Sequence, residues 1–266
     1  MRRRGPVGRS VRRALGWLSR RLDRPELLAA FYPVARQAWR EEIAMGAVLA
    51  SALRSDSTYV DVGTNRGQVL REAVRVAPRG RHVAFEPIPD LAAELAASFP
   101  QVDARRLALG AVAGSADYYC YYRKLDGWSG LRRSTLVSDA RGAPETITVE
   151  VSTLDIELAG LRPDVVKIDV EGGELDVLAG ARTVLREAKP LVLFEHVAEA
   201  AAPYGSSPAA VWDLLRELNY EIFTVTGAGP LTRAEFAQSA SVVNWLARPE
   251  PVAAAPGAED QPPAAG

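Results

Sequence analysis

Tyr59-Val60-Asp61-Val62-Gly63-Thr64-Asn65-Arg66-Gly67-Gln68 reads as a buried strand that runs through a glycine turn into a helix. His82-Val83-Ala84-Phe85-Glu86-Pro87 reads as a second strand, which ends in an acid, Glu86, eighteen residues past Gln68. A chain that leaves a strand and starts a helix at once must turn sharply. Gly63 and Gly67 permit the backbone angles this needs and put no side chain in the way of a ligand. Backbone N–H groups at the helix start can then hold an anionic group. Glu86 falls where an acid accepts hydrogen bonds from ribose hydroxyls, about 20 residues past a glycine loop. The spacing is Gly-x-Asn-x-Gly rather than Gly-x-Gly-x-x-Gly. That argues against a pyrophosphate, and hence against a nicotinamide dinucleotide. It favours a smaller ligand such as S-adenosylmethionine.

Outward from this stretch, strands and helices alternate. Strands are expected at 82–85, about 103–109, 116–122, 145–151, 164–170, 190–195, 220–225 and 241–246. Helices are expected at 67–76, 89–98, from 174 through Leu185, and at 208–218. Such alternation implies an α/β fold with a mainly parallel sheet covered on both faces. In such sheets ligands bind outside the carboxyl ends of the strands. Glu86, the pair Asp169 and Glu171, and Glu195 with His196 all fall at such ends, whereas His82 opens its strand at the opposite edge. Asp169, Glu171 and Glu195 are oxygen ligands that a magnesium ion would accept, but the pattern requires no metal.

Composition narrows the function. The 266 residues are 48% apolar with a formal net charge of −1, which fits one sizeable soluble domain without a nucleic-acid bias. The single cysteine, Cys120, rules out an internal disulfide and a multi-cysteine zinc site, and reads as a small packing residue. No apolar run reaches the length of a membrane span and no signal peptide is evident, so a cytoplasmic location is expected. Residues 1–24 hold nine arginines and one aspartate, with Val11, Leu15, Leu18 and Leu22 at helical spacing. They read as a basic helix suited to weak contact with a membrane surface, within a helical extension over residues 1–54. The catalytic domain is expected over 55–248, followed by a Pro/Ala-rich disordered tail over 249–266.

Three motifs carry a resemblance: residues 60–67, Ala84-Phe85-Glu86-Pro87-Ile88-Pro89, and Val166-Lys167-Ile168-Asp169-Val170-Glu171-Gly172. Over roughly residues 55 to 200 the chain resembles the FkbM family of S-adenosylmethionine-dependent methyltransferases. The resemblance implies a Rossmann-like, seven-stranded class I methyltransferase sheet and transfer of a methyl group to a hydroxyl of a sugar or natural product. Carried over by position, Asp61, Gly63, Asn65 and Gly67, with Gln68 beside them, would line the methionine part of the cofactor. Glu86, followed by Pro87, would hold the ribose, Leu107 and Ala108 would lie near the adenine, and Asp169 would sit by the transferring methyl. Arg66 stands where the family often has a small residue. A neutral alcohol needs a base as it attacks. His196 is the first candidate because imidazole titrates near neutrality, with Asp169 or Glu171 as alternatives. Tyr118, Tyr119, Tyr121, Tyr122 and Trp128, beside Arg123, Lys124, Arg132 and Arg133, read as an acceptor-binding insert or as a hairpin packed on the sheet. Transfer to a nitrogen or carboxylate and a non-catalytic binding role remain alternatives.

Overall fold

Five runs of only four or five residues form the parallel centre of the main sheet, and their neighbours show why. The computed structural model describes residues 33–121, 127–137, 142–239 and 242–251. Its elements run α1 (Pro33–Ala52), β1 (Tyr59–Val62), α2 (Gln68–Val76), β2 (His82–Phe85), α3 (Pro89–Ser98), β3 (Val102–Arg105), β4 (Ala108–Leu109), β5 (Gly114–Cys120) and β6 (Glu145–Ser152). They continue with α4 (Leu154–Glu157), β7 (Val165–Ile168), α5 (Glu174–Ala179), α6 (Arg182–Glu187), β8 (Leu191–Glu195), α7 (Ala198–Ala201), α8 (Pro208–Glu217), β9 (Tyr220–Thr224), α9 (Arg233–Gln238) and β10 (Asn244–Pro249). The main sheet has the order β3-β2-β1-β7-β8-β10-β9. Its first five strands are parallel, and β10 runs antiparallel to both of its neighbours. This is the expected Rossmann-like seven-stranded α/β arrangement. The switch point, where the chain order reverses, lies between β1 and β7, the strands that carry the glycine turn and Asp169.

Strand alternation decides which helices cover which face. Val60, Val62, Val83, Phe85, Val166, Ile168, Val192 and Phe194 pack on the face covered by α4, α5, α6 and α8. Tyr59, Ala84, Val165 and Leu193 pack on the opposite face with Leu70, Ala73, Leu95 and Phe99. Leu49 and Leu53 join that second cluster, at 0% and 5% exposure. Each such buried side chain contributes about 1.5–3 kcal/mol. Both therefore help to hold the end of α1 in place. Glu41 adds specificity: it is buried and accepts from the Asn244 backbone and Nδ2 at 3.2 and 2.9 Å. The described part of the helical extension is thus fastened to β10.

Three expectations change. The stretch 103–109 is not one strand. It ends at Arg105, where the Glu86 N–H donates to the Arg105 carbonyl, and Ala108–Leu109 joins a separate sheet of order β4-β6-β5. The alternation explains the crossing: Leu107 and Leu109 enter the main core, whereas Ala108 faces Tyr118, Val149 and Val151 of the small sheet. Cys120 is buried in that small core. The helix beginning at Glu174 breaks after Ala179, because Gly180 lies against the Gly110 carbonyl, 2.1 Å from where a Cβ would stand. The Asp155 carboxylate then caps α6 through the Thr183 and Val184 N–H groups, each at 2.9 Å. Finally, Pro249, assigned to the tail by sequence, pairs with Tyr220 as the last residue of β10. Residues 1–24, Tyr122, Arg123, Lys124 and the tail from residue 252 onward lie outside the described residues.

Gly180→Ala must push the Gly110 backbone away. We expect a loss of about 1–3 kcal/mol, read as a lower urea midpoint with unchanged slope; an unchanged midpoint would show that the contact is slack.

Candidate cofactor and acceptor site

The backbone itself opens the site. Gly63 leaves β1 at φ 76°, and a Cβ there would lie 1.9 Å from the Asp169 carbonyl oxygen. Only glycine lets the β1 turn press against the end of β7. The Gly63 and Thr64 N–H groups both donate to the Phe85 carbonyl, at 3.0 and 3.1 Å, tying the turn to β2. Asn65 continues at φ 50°, and Gly67 at φ 72° starts α2 with no capping side chain and no acid in its first turn. The first N–H groups of that helix are therefore left for a ligand's anionic group. Gly67 acts from behind the site, where a Cβ would lie 2.7 Å from the Phe99 ring.

Glu86 fixes the second side. It is 4% exposed, with one carboxylate oxygen accepting from the Asn65 N–H at 2.8 Å and the other from the Ile88 N–H at 2.9 Å. These charge-assisted bonds lock the carboxylate in place at the end of β2. Arg66 leans outward onto Glu94 at 2.6 Å.

The parallel register of β1 and β7 sets Asp61 beside Lys167. The Lys167 ammonium donates to Asp61 at 3.3 Å and lies 3.5 Å from Asp169. Burial alone would lower the Lys167 pKa, but Asp61 and Asp169 outweigh it and raise the value above the ordinary one. Lys167 therefore stays a cation within a group of acids. Asp169, Glu171 and Glu195 bring carboxylate oxygens within 4.8 Å of one another. The turn that carries them is bent by Glu171 at φ 59° and Gly172 at φ 111°. Glu174, only 1% exposed, steadies it by accepting from the Gly172 N–H at 2.9 Å.

Among these groups lies a cavity of about 480 Å³, a size typical of small-molecule sites. Asp61, Gly63, Asn65, Gln68, Glu86, Pro87, Leu107, Ala108, Asp169 and Glu171 line it, as does Glu195. Leu107 and Ala108 reach it from the link into β4, not from the end of a third strand. Trp128 and Tyr118 border it too, while Tyr121 packs with Trp128 and Val137.

His196 stands apart from the other candidates. It is 5% exposed, does not line the cavity, stacks on Phe236 with ring centroids 6.0 Å apart, and turns Nδ1 toward Glu174 at 3.7 Å. Its neighbours Glu195 and Val197 line the cavity instead. Strand alternation sends 195 and 196 to opposite sides. Reading the sequence missed Lys167 as a site residue, although a lysine inside an apolar strand is the usual sign of a paired buried charge. It also missed Tyr204, Asp176, and Gln37, Glu41 and Met45 of α1, all of which border the cavity. No local pattern announces these, because they arrive from distant elements.

The methyltransferase FkbM domain model matches residues 61–222, which carry the glycine turn, Glu86 and the Asp169 turn. The chain belongs to the FkbM methyltransferase family. It is 28% identical over 211 residues to the AMB antimetabolite synthetase AmbE of Pseudomonas aeruginosa, covering 64% of this chain but only 10% of that protein. The chain thus spans about a tenth of the length of that curated relative. Among solved structures it is similar to a methyltransferase FkbM from Methylobacillus flagellatus, at 18% identity and TM-score 0.47, covering 89% of this chain and 58% of that one. It is also similar to a TehB-like S-adenosylmethionine-dependent methyltransferase from Corynebacterium glutamicum, at 14% identity and TM-score 0.41, covering 81% and 96%. Residues 61–222 thus form a methyltransferase FkbM domain, for which S-adenosylmethionine is the expected methyl donor. The glycine cradle at Gly63, the uncapped start of α2 and the fixed Glu86 carboxylate fit that group.

Glu86→Ala removes one charged acceptor that also ties two loops together. We expect S-adenosylhomocysteine binding to weaken by about 1.5–3 kcal/mol, roughly 10- to 100-fold in Kd by calorimetry. Unaltered affinity would remove Glu86 from the cofactor site.

Proposed function

We propose that this FkbM methyltransferase transfers its methyl group to a hydroxyl oxygen of a small molecule, a sugar or a natural product, in the cytoplasm. One observation carries the reading: a single cavity runs from the glycine turn and Glu86 to the carboxylates Asp169 and Glu171. Glu86 would hold the ribose hydroxyls, Asp61, Gly63, Asn65 and Gln68 the amino-acid portion, and Leu107 and Ala108 the adenine. When bound, S-adenosylmethionine supplies a methyl carbon whose bond to sulfur breaks toward sulfur as the bond to the acceptor oxygen forms.

The chain's own residues must orient the alcohol and take its proton. Positioning along the line of displacement supplies much of the acceleration. Glu171 is the base best placed for this task. It borders the cavity on a turn held by Glu174. Lys167 lies 3.5 Å from Asp169 and orients its carboxylate, and a carboxylate suits a residue facing a sulfonium. His196, buried on Phe236, is better suited to packing than to proton transfer.

Glu171→Gln should retain S-adenosylhomocysteine affinity and lower turnover about 10²–10⁴-fold, whereas His196→Asn should keep turnover within a few-fold of wild type. The reverse pattern in single-turnover assays would return the base role to His196.

The convergence of Asp169, Glu171 and Glu195 favours a second reading, in which a divalent cation lowers the pKa of the hydroxyl. That reading requires activity to vanish in EDTA and return with Mg²⁺. Carboxylate catalysis without metal requires full activity in EDTA, and this is the outcome we expect.

A further inference from the structure

Strand order separates the two halves of the cavity. Along the carboxyl edge of the main sheet, Glu86 after β2 and the glycine turn after β1 are assigned to the methyl donor, and Asp169 follows on β7. The next strands outward are β8 and β10, so the acceptor belongs over these. Asn244 opens β10 opposite Glu195, the last residue of β8. Two strand spacings, roughly 10 Å, separate β10 from β7, which leaves room for more of a molecule than its reacting hydroxyl. Asn244 borders the cavity there, and so do Gln37 and Met45 of α1. Met45 and Asn244 also share a small recess with Asp169.

One buried group sets how the two amides face. Glu41 is 1% exposed. One of its carboxylate oxygens accepts from Gln37 Nε2 at 2.7 Å, and the other accepts from the Asn244 N–H and Nδ2 at 3.2 and 2.9 Å. An ionised carboxylate only accepts. Both amides must therefore turn their NH2 groups to Glu41, since turning either one over would set two oxygens against each other in a buried place. That leaves the amide oxygens. Among the described residues, neither the Gln37 nor the Asn244 amide oxygen meets a hydrogen-bond donor. They are neutral acceptors, which suit hydroxyl hydrogens and offer nothing to an anion.

Building on the methyl-transfer reading, we infer that Gln37 and Asn244 select the acceptor by taking hydrogen bonds from its hydroxyls, and that the acceptor is polyhydroxylated, as a sugar is. Glu41 is the positioning residue that fixes both amides. One hydroxyl lies beside Asp169 and Glu171 to receive the methyl group, while others on the same molecule reach across β8 to the amide oxygens. Gln37, Glu41 and Asn244 all lie outside residues 61–222, so selection rests on the flanks of the methyltransferase domain.

The test uses the full chain, methyl-labelled S-adenosylmethionine, and a deproteinised extract of source cells in which the gene is deleted, so that the acceptor stays unmethylated. Label transfer is followed against extract concentration. Gln37→Met removes the amide, whereas Gln37→Lys keeps an N–H donor for Glu41 but has no oxygen. We expect each to raise the half-saturating extract concentration about three- to tenfold, with no matching change in the KM for S-adenosylmethionine. Pretreating the extract with periodate, quenched with ethylene glycol, should abolish label transfer, because periodate cleaves the carbon–carbon bond between neighbouring hydroxyls. Wild-type half-saturation in Gln37→Lys, alone or together with Gln37→Met, reduces Gln37 to a brace for Glu41 and overturns its selecting role. A parallel rise in the KM for S-adenosylmethionine moves Gln37 to the donor side and overturns it too. Full label transfer after periodate overturns the polyhydroxylated acceptor. Each of these leaves methyl transfer standing. No label from untreated extract, with protein that binds S-adenosylhomocysteine, overturns the catalytic reading and the inference with it.

Discussion

The missing side chain at position 63 is the constraint on which this site depends. With the Asp169 carbonyl oxygen 1.9 Å from where a Cβ would lie, no other residue lets the β1 turn close on the end of β7. That contact brings together two motifs more than a hundred residues apart. One supplies the turn and the uncapped helix start; the other supplies the acids Asp169 and Glu171 that line the same cavity. The parallel register then does the rest. Asp61 and Lys167 become neighbours on one face, and Asp169 follows at the strand end.

Much of this was legible because it is local. Short apolar runs, glycine positions and acids at strand ends identify a doubly covered parallel sheet and its functional edge. Glu86 could be placed because the distance from glycine turn to acid follows from one strand–helix–strand unit. Other features are not local. The break at Gly180 depends on a carbonyl from Gly110, and the crossing of Leu107–Leu109 between sheets depends on which core takes each side chain. His196 shows the same difficulty at the scale of one residue. A strand end suggested reactivity, but alternation turned its ring away from the cavity and onto Phe236. Glu171 was named from the sequence as an alternative base, but its left-handed backbone and its place on the cavity wall come only from the structure.

The buried charges share a common logic. Burying an ion costs several kcal/mol unless partners recover it, so each one here is held by several groups. Glu86 takes two backbone N–H groups, Glu174 takes those of Val170 and Gly172, and Lys167 sits between two carboxylates. Such groups are hard to move without loss of structure. They give the cavity a fixed electrostatic character before any ligand arrives, which is the condition under which charges guide a reaction without reorganising.

The bond between Glu41 and Asn244 joins α1 to the antiparallel strand β10, and both partners lie outside residues 61–222 that define the family. The two flanks therefore brace each other beside the cavity that both of them line. A relative could keep every residue of the inherited chemistry and still accept a different molecule, simply by exchanging the struts on either side.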